Sequence, residues 1–277
     1  MTRELLFAGN KAVFDGILSC MISIFLRSDL SEPFRIHIFT MDVCQLKPEY
    51  EAFTETQRLF LEEVAKEYHN GNEVFLYDLT KLYQEFFDGC PNENCYCSPY
   101  TLLRLFADLV DELPDKILYL DADILFNADI RKLYDIDISD YEFAAARDHY
   151  GSFFIRSDYI NAGVLLLNLE RIRDDGMLER ARFLVRRKKL PFADQSAIYR
   201  SADKVKILPG KFNSQHCLKE DTVVRHFSRR LYYLPYPHTE NIKQWNVRRM
   251  YRVLNYGQFE DVIEEYLYRK GQYKRMI

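Results

Sequence analysis

The stretch Lys116-Ile-Leu-Tyr-Leu-Asp-Ala-Asp-Ile-Leu-Phe126 constrains the fold more than any other part of the chain. Five residues of buried-strand character run straight into Asp121-Ala122-Asp123. In a strand, residues two apart point to the same face, with roughly 6.5–7 Å between their Cα atoms. Two carboxylates at that spacing can grip one divalent cation, or one cation and a sugar, and Ala122 between them adds no bulk. The bland reading is a strand followed by a polar turn, since Asp is a common turn residue. A strand that ends in carboxylates inside an alternating βα chain lies at the carboxyl edge of its sheet, where open α/β sheets bind ligands.

The chain does alternate in that way. Residues 4–8 read as a first strand ending at Gly9-Asn10, Val13 to Leu26 as a buried helix broken only by Asp15, Gly16 and serines, and Phe34 to Thr40 as a second strand. Pro48 predicts the start of a long amphipathic helix, with Phe53, Phe60, Leu61, Val64 and Tyr68 at helical spacing and Asn70-Gly71 as its stop. Glu73 to Leu79 is a third strand. Ser98-Pro99 caps the next helix, where Leu102, Leu103, Phe106, Leu109 and Val110 make one stripe and Thr101, Arg104 and Asp108 lie opposite. Beyond Asp123 the pattern gives a short helix over Asp129 to Tyr134 and strands over Phe143 to Ala146 and Val164 to Leu169. Arg171 to Lys189 is helical with a break at Gly176, Asp194-Gln195 starts a short helix, and Val205 to Leu208 is a last strand. The spacing implies βαβ units with right-handed crossovers, hence an α/β fold with a mainly parallel sheet.

At 277 residues the chain can bury the core of one large domain, or of a domain plus an appendage. A net charge of −4 argues against a whole-protein nucleic-acid binder. There is no window of eighteen uninterrupted apolar residues, and the N-terminal apolar run is too short for a signal-peptide core. A cytoplasmic location with six reduced cysteines is expected. Cys90, Cys95 and Cys97 cluster, but Cys-x4-Cys-x-Cys is not a common zinc spacing and no fourth partner is evident.

Four pieces stand out together: Asp121-Ala-Asp123, Asn161-Ala-Gly163, Asp194-Gln195, and His226-Phe227 followed by Lys243-Gln-Trp245. In their order and spacing the chain resembles the retaining glycosyltransferases of family 8, which include bacterial lipopolysaccharide galactosyl- and glucosyltransferases and glycogenin. The strongest local match is Leu118-Tyr-Leu-Asp-Ala-Asp-Ile124 followed by Asn161-Ala-Gly-Val-Leu-Leu-Leu-Asn168. The resemblance implies a Rossmann-like nucleotide-diphospho-sugar transferase fold of GT-A type, with a catalytic domain over residues 1–245 and a basic, aromatic, helical C-terminal extension over 246–277. It implies transfer of glucose or galactose from a UDP-sugar to a glycan, glycolipid or glycoprotein. Asp121, Asp123 and His226 would hold a divalent cation that stabilises the departing diphosphate. Oxygen and imidazole together suit manganese better than magnesium, which remains the alternative. Arg104 and Lys243 are aimed at the diphosphate or sugar, Asn10 at the uridine, and Asp121, Asp148, Asn161, Ala162, Asp194 and Gln195 at the donor. Gln195 is the family's candidate nucleophile, although Asp194 is the stronger one by chemistry; same-face attack, with the leaving phosphate taking the acceptor's proton, is the favoured route to retention.

The chain departs from the family pattern in four places, one of them the family's glycine near the phosphate, which is not evident here. Gly9-Asn10-Lys11-Ala12-Val13-Phe14-Asp15 lacks the tyrosine that stacks on uridine, Gln244 stands where the family has proline, and the segment from His226 to Lys243 is long. These departures keep open a second reading, a non-catalytic sugar-nucleotide or glycan-binding relative. A metal phosphohydrolase would need a nucleophilic Asp after the first strand, where Gly9-Asn10 stands. Arg171 to Lys189 carries eight basic and three acidic residues, and the tail carries Arg248, Arg249, Arg252, Arg269, Lys270, Lys274 and Arg275 among tyrosines. In lipopolysaccharide-modifying relatives such a tail docks on the inner membrane, which implies a peripheral membrane contact here; a solvated helix face is the plain alternative.

Overall fold

The computed structural model describes residues 2–93, 98–232, 234 and 236–277. Seven strands form the central sheet in the order β3-β2-β1-β4-β7-β6-β8. They are β1 (Arg3–Ala8), β2 (Phe34–Thr40), β3 (Glu73–Asp78), β4 (Lys116–Leu120), β6 (Phe143–Ala146), β7 (Val164–Asn168) and β8 (Val205–Leu208). Strands β1 to β4 are parallel neighbours and β8 is parallel to β6, whereas β7 runs antiparallel between β4 and β6. The sheet is mainly parallel, as the alternation predicts.

Both faces of the central strands are apolar because both are covered. Leu5, Phe7, Ile36, Ile38, Leu118 and Leu166 pack on one side. That side carries helices α1 (Phe14–Arg27), α2 (Glu55–Tyr68), α9 (Val247–Leu254) and α10 (Glu260–Met276). Leu6, Phe39, Tyr119, Leu165 and Leu167 face the other side. There lie α3 (Thr80–Phe87), a 3-10 helix over Pro99–Leu109, α6 (Leu169–Asp175), α7 (Met177–Arg187) and α8 (Ala193–Ser201). Short helices α4 (Arg131–Tyr134) and α5 (Gly151–Phe154) decorate the loops. Two small antiparallel pairs, β5 (Ile124–Phe126) with β9 (Val224–His226) and β10 (Arg230–Tyr232) with β11 (His238–Glu240), complete the fold.

Several boundaries move, each for a local reason. The helix expected from Pro48 begins at Glu55, because Thr54 caps it: the Thr54 hydroxyl accepts from Gln57 N and the Gln57 side chain accepts from Thr54 N. Arg104 does not lie on a solvent face. The Pro99–Leu109 helix is buried almost all round, Asp108 pairs with Arg182, and Arg104 is 3% exposed. Gly176 does break the basic helix, in a left-handed conformation at φ 64°. The tail's Met250, Phe259, Val262, Ile263 and Tyr266 join the main core, and two of its cations turn inward, Arg269 to Glu67 and Glu265 and Lys270 to Asp15.

Helix α1 is the seat of the Asp121–Asp123 turn. A Cβ on Gly16 would fall 2.5 Å from the Ala122 carbonyl oxygen and 2.7 Å from Cζ3 of Trp245. The Ser23 hydroxyl accepts from Phe126 N, and Gln244, fully buried, donates to both the Ala122 carbonyl (2.9 Å) and the Ser19 hydroxyl (3.2 Å). Alanine improves a helix by about 0.5–1 kcal/mol over glycine, but overpacking costs about 1–3 kcal/mol, so the clash is expected to win. Gly16→Ala should lower the urea midpoint of unfolding; an unchanged or higher midpoint would show that the turn is not seated on α1.

Candidate active site

Strand β4 ends at Leu120, so Asp121 and Asp123 occupy the turn between β4 and β5 rather than one face of a strand. The turn, not the pleat, brings their carboxylates together. The antiparallel neighbours supply the rest. Because β7 runs against β4, the residues before it, Asn161-Ala162-Gly163, lie at the carboxyl edge of β4, where Asp121 N donates to Gly163 O at 2.8 Å. Because β9 runs against β5, His226 pairs with Ile124, and Phe227 N donates to Asp123 O at 2.8 Å.

His226 Nε2 lies 3.1 Å from Asp123 Oδ1 and 3.8 Å from Asp121 Oδ2. Ligand atoms of these three residues lie within 4.8 Å of one another, and among the described residues no other such group of His, Cys, Asp and Glu occurs. Gly163 makes room for them: a Cβ there would sit 2.4 Å from His226 Cε1 and 2.8 Å from Asp121 Oδ2. Burial pushes the Asp123 carboxyl up, but Lys243 and His226 reverse this and hold it far below the ordinary carboxylate range. Lys243 Nζ donates to Asp123 Oδ2 and, at 3.1 Å, to Phe227 O.

Arg104 closes the other side. Its Nη2 donates to Asp121 Oδ1 (2.8 Å), its Nε donates to the Thr101 carbonyl (3.0 Å) and lies 3.2 Å from Asp194 Oδ2, and its Nη1 donates to the Ala162 carbonyl. Burial works against the charged guanidinium, yet Asp121, Tyr119 and Asp194 raise its pKa above the ordinary value. Burial also raises the Asp194 pKa, against the pull of Arg104. Tyr119 donates to Asp121 Oδ1 at 2.9 Å, so one oxygen of Asp121 is fully occupied and the other faces His226.

A chain of side-chain hydrogen bonds sets the His226 tautomer. Asp148 Oδ2 accepts from Asn161 Nδ2 (2.8 Å), which points Asn161 Oδ1 the other way, where Gly163 N (3.0 Å) and Asn213 Nδ2 (2.8 Å) donate to it. A backbone N–H can only donate, so this orientation is fixed independently of the carboxylate. Asn213 Oδ1 is then left for His226 Nδ1, 3.0 Å away. With Nδ1–H donated to Asn213, the ring turns Nε2 toward the two carboxylates, where it can donate to Asp123 when protonated or offer a lone pair to a cation when not.

Of the other expected residues, Gln195 has Oε1 accepting from Ala162 N (3.1 Å) and Nε2 at 3.5 Å from Asp148 Oδ2. Asp194 Oδ1 accepts from the Thr101 hydroxyl. Asn10 is apart from this cluster; its amide donates to Glu49 O and accepts from Ala12 N. Cys95 and Cys97 lie outside the described residues. Tyr119 and Asn213 had been passed over. Tyr119 could have been found at the end of β4, two residues before Asp121, whereas Asn213 lies in an aperiodic loop without a signal.

A sheet of this order with an acidic turn and an imidazole at its carboxyl edge defines a GT-A-type nucleotide-sugar transferase fold. The chain belongs to glycosyltransferase family 8, whose model, "Glycosyl transferase family 8", matches residues 7–231. It is similar to glycosyltransferase GlyE of Streptococcus pneumoniae serotype 4 (strain ATCC BAA-334 / TIGR4), 29% identical over 167 residues that cover 60% of this chain and 36% of that protein. It is also similar to GlyA of the same strain, 44% identical over 79 residues, 27% of this chain and 11% of that one. The chain thus spans between about a tenth and a third of these relatives' lengths. Among solved structures, galactosyltransferase LgtC in complex with donor and acceptor sugar analogs superposes with a TM-score of 0.65 at 20% identity, covering 97% of this chain and 95% of that one. The GlyE structure gives 0.61 at 18%, covering 97% and 64%.

The depressed Asp123 carboxyl has a pH signature. Its folded pKa lies below its unfolded value, so its stabilising contribution is present above roughly pH 4 and is lost as pH falls further towards the folded pKa. In chelator, the difference in unfolding free energy between wild type and Asp123→Asn is expected at pH 6 and to shrink below about pH 4. Urea unfolding across pH checks this, and a pH-independent difference would refute it.

Proposed function

We propose that this chain is a metal-dependent retaining hexosyltransferase that moves glucose or galactose from a UDP-sugar to a glycan, lipopolysaccharide or glycoprotein acceptor. The observation that carries the reading is the convergence of Asp121, Asp123 and His226 on one point at the carboxyl edge of a family 8 fold. The donor set fits a divalent cation: two carboxylate oxygens, an imidazole lone pair turned toward them, and a glycine where a Cβ would fill the space. Mixed oxygen and nitrogen ligation favours manganese over magnesium. Such a cation would supply Lewis-acid stabilisation of the departing diphosphate.

The protein's own groups have separate tasks in this reading. Arg104 and Tyr119 fix Asp121 so that one oxygen stays available. Asp148, Asn161 and Gln195 form a polar wall whose hydrogen-bonding capacity suits sugar hydroxyls, and such a wall discriminates epimers because a mismatch leaves buried groups unpaired. Asp194 has both oxygens committed, to Arg104 and Thr101, and Gln195 Oε1 is held by Ala162 N. Neither is poised as a nucleophile, which supports same-face attack with the phosphate oxygen taking the acceptor's proton. A peripheral membrane contact would fall to the exposed Arg248, Arg252, Lys274 and Arg275, since Arg269 and Lys270 pair within the protein. The Lys243–Asp123 pair favours the second reading, binding without turnover, because an ammonium already neutralises one carboxylate.

Incubation with UDP-glucose or UDP-galactose and Mn²⁺ should release UDP slowly, and chelator or Asp123→Ala should abolish the release. UDP binding with no turnover, with or without glycan acceptors, would favour the second reading; no UDP binding in Mn²⁺ would refute the hexosyltransferase reading and leave only glycan binding from the second. Asn213→Ala frees the His226 tautomer and should weaken Mn²⁺ binding about 10–100-fold, read as free Mn²⁺ by electron paramagnetic resonance. Unchanged affinity would remove Asn213 from the metal site.

A further inference from the structure

Next to Asp148 a recess of about 590 Å³ opens between the segment from Arg147 to Phe153 and the loop from Pro209 to Thr222. Its inner end is Asp148, the carboxylate that belongs to the sugar-facing wall. That carboxylate is already saturated: Tyr150 N and Gly151 N donate to Oδ1, and Asn161 and Gln195 to Oδ2.

The outer part of the recess is basic in a protein that is acidic overall. Arg147, Lys211 and Lys219 line it against one carboxylate, Asp221, and among the described residues none of the three cations forms an ion pair. Behind the loop lies Arg225, fully buried and without an acidic partner. It donates through Nη1 to the carbonyls of Ser214 and His226 and lies over the rings of Phe227 (5.0 Å) and Tyr256 (5.7 Å), while its Nε and Nη2 have no hydrogen-bond partner. Arg230 reaches the same Tyr256 hydroxyl at 3.4 Å, and its buried Nε is likewise unpartnered. A buried cation without a counter-ion is costly, and its field extends to the recess: burial, Arg230, His149 and Arg225 together lower the pKa of His216. The rings of His149 and His216 stand 5.0 Å apart, and Phe153, 81% exposed, lies beside His149. Rings for a sugar face and unpaired cations for an anion occur in one place.

We propose that this recess is the acceptor subsite and that the acceptor is an anionic glycan, bearing a phosphate or a carboxylate close to the sugar that is glycosylated. The inference rests on the hexosyltransferase reading and narrows it to a substrate class. The sugar ring lies on His149 and Phe153 near Asp148, and the anion reaches Lys211, Lys219 and Arg147. The positive field beyond the loop then gains the counter-charge that the fold does not provide.

The test is a ligand-observed NMR titration of the full chain saturated with UDP and Mg²⁺, using glucose, glucose 6-phosphate, glucuronate and inorganic phosphate as probes. Glucose 6-phosphate or glucuronate should bind about five- to tenfold more tightly than glucose, as expected of two or three exposed pairs, and the advantage should shrink with added salt. Whichever charged sugar is preferred identifies phosphate or carboxylate as the anion. Lys211→Gln with Lys219→Gln should remove the advantage while leaving UDP affinity unchanged. Equal binding of glucose, an advantage that survives the double substitution, or inorganic phosphate binding as tightly as glucose 6-phosphate would overturn the proposal. Failure of the underlying reading is distinguishable, because UDP itself would then not bind.

Discussion

The site depends first on one buried guanidinium. Arg104 reaches into four parts of the fold at once: the turn after β4 through Asp121, the start of α8 through Asp194, its own helix through Thr101, and the segment before β7 through Ala162. Three carboxylates, Asp121, Asp123 and Asp194, lie within this small volume, and Arg104 and Lys243 are the two cations that pair with them. Three negative charges against two positive leave one in excess. Removing either cation would leave a buried charge uncompensated, at about 3–5 kcal/mol, whereas a divalent cation entering between Asp121 and Asp123 meets a net negative site. The same arithmetic that makes loss of Arg104 destabilising makes the site receptive to a divalent cation.

Much of the sheet was legible because its strands announce themselves. Phe34–Thr40, Phe143–Ala146 and Val205–Leu208 appear with the expected limits, as compact apolar runs between turn residues. Periodicity alone does not give the orientation of the Pro99–Leu109 helix. A stripe at 3.6-residue spacing assigns Arg104 to solvent, but this helix has 3-10 geometry, so Thr101 and Arg104 stack one above the other and Arg104 Nε bonds to Thr101 O. The segment lies between the sheet and α7 and α8 and is buried all round, which periodicity cannot express. The antiparallel sense of β7 was equally invisible. Nothing local to Val164–Asn168 distinguishes its direction, yet that direction is what carries Asn161, Ala162 and Gly163 to Asp121.

The polar interruptions in α1 now have a meaning. In a helix that is otherwise buried and apolar, Gly16, Ser19 and Ser23 read as flaws. They are the docking face for the Asp121–Asp123 turn: Gly16 allows the Ala122 carbonyl to approach, Ser23 accepts from Phe126 N, and Ser19 meets Gln244. Gln244, a departure from the family's proline when seen as sequence, donates to the Ala122 carbonyl between the two carboxylates. A proline could not make that bond, having no side-chain donor. The substitution therefore ties the turn to the segment that carries Lys243, so the position of the lysine and the position of Asp123 are set by the same residue's neighbours.

The distribution of charge pairing separates the two ends of the cleft. At the inner end every cation has a partner, Arg104 with Asp121 and Asp194 and Lys243 with Asp123, and the amides of Asn161 and Asn213 are fixed in one orientation by donors that cannot reverse. Groups held in this way need little reorganisation when charge develops beside them, which is the condition under which fixed dipoles and charges stabilise a transition state best. At the outer end the cations stand on side chains without acidic partners, over a buried arginine that the fold leaves unneutralised. An arrangement of that kind contributes little to holding the protein together and gains most from an incoming anion. On the proposed reading, rigid pairing serves the inner end and unpaired charge the recess; the boundary between them runs through Asp148, whose carboxylate accepts from Asn161 and Gln195 while the residue also lines the recess.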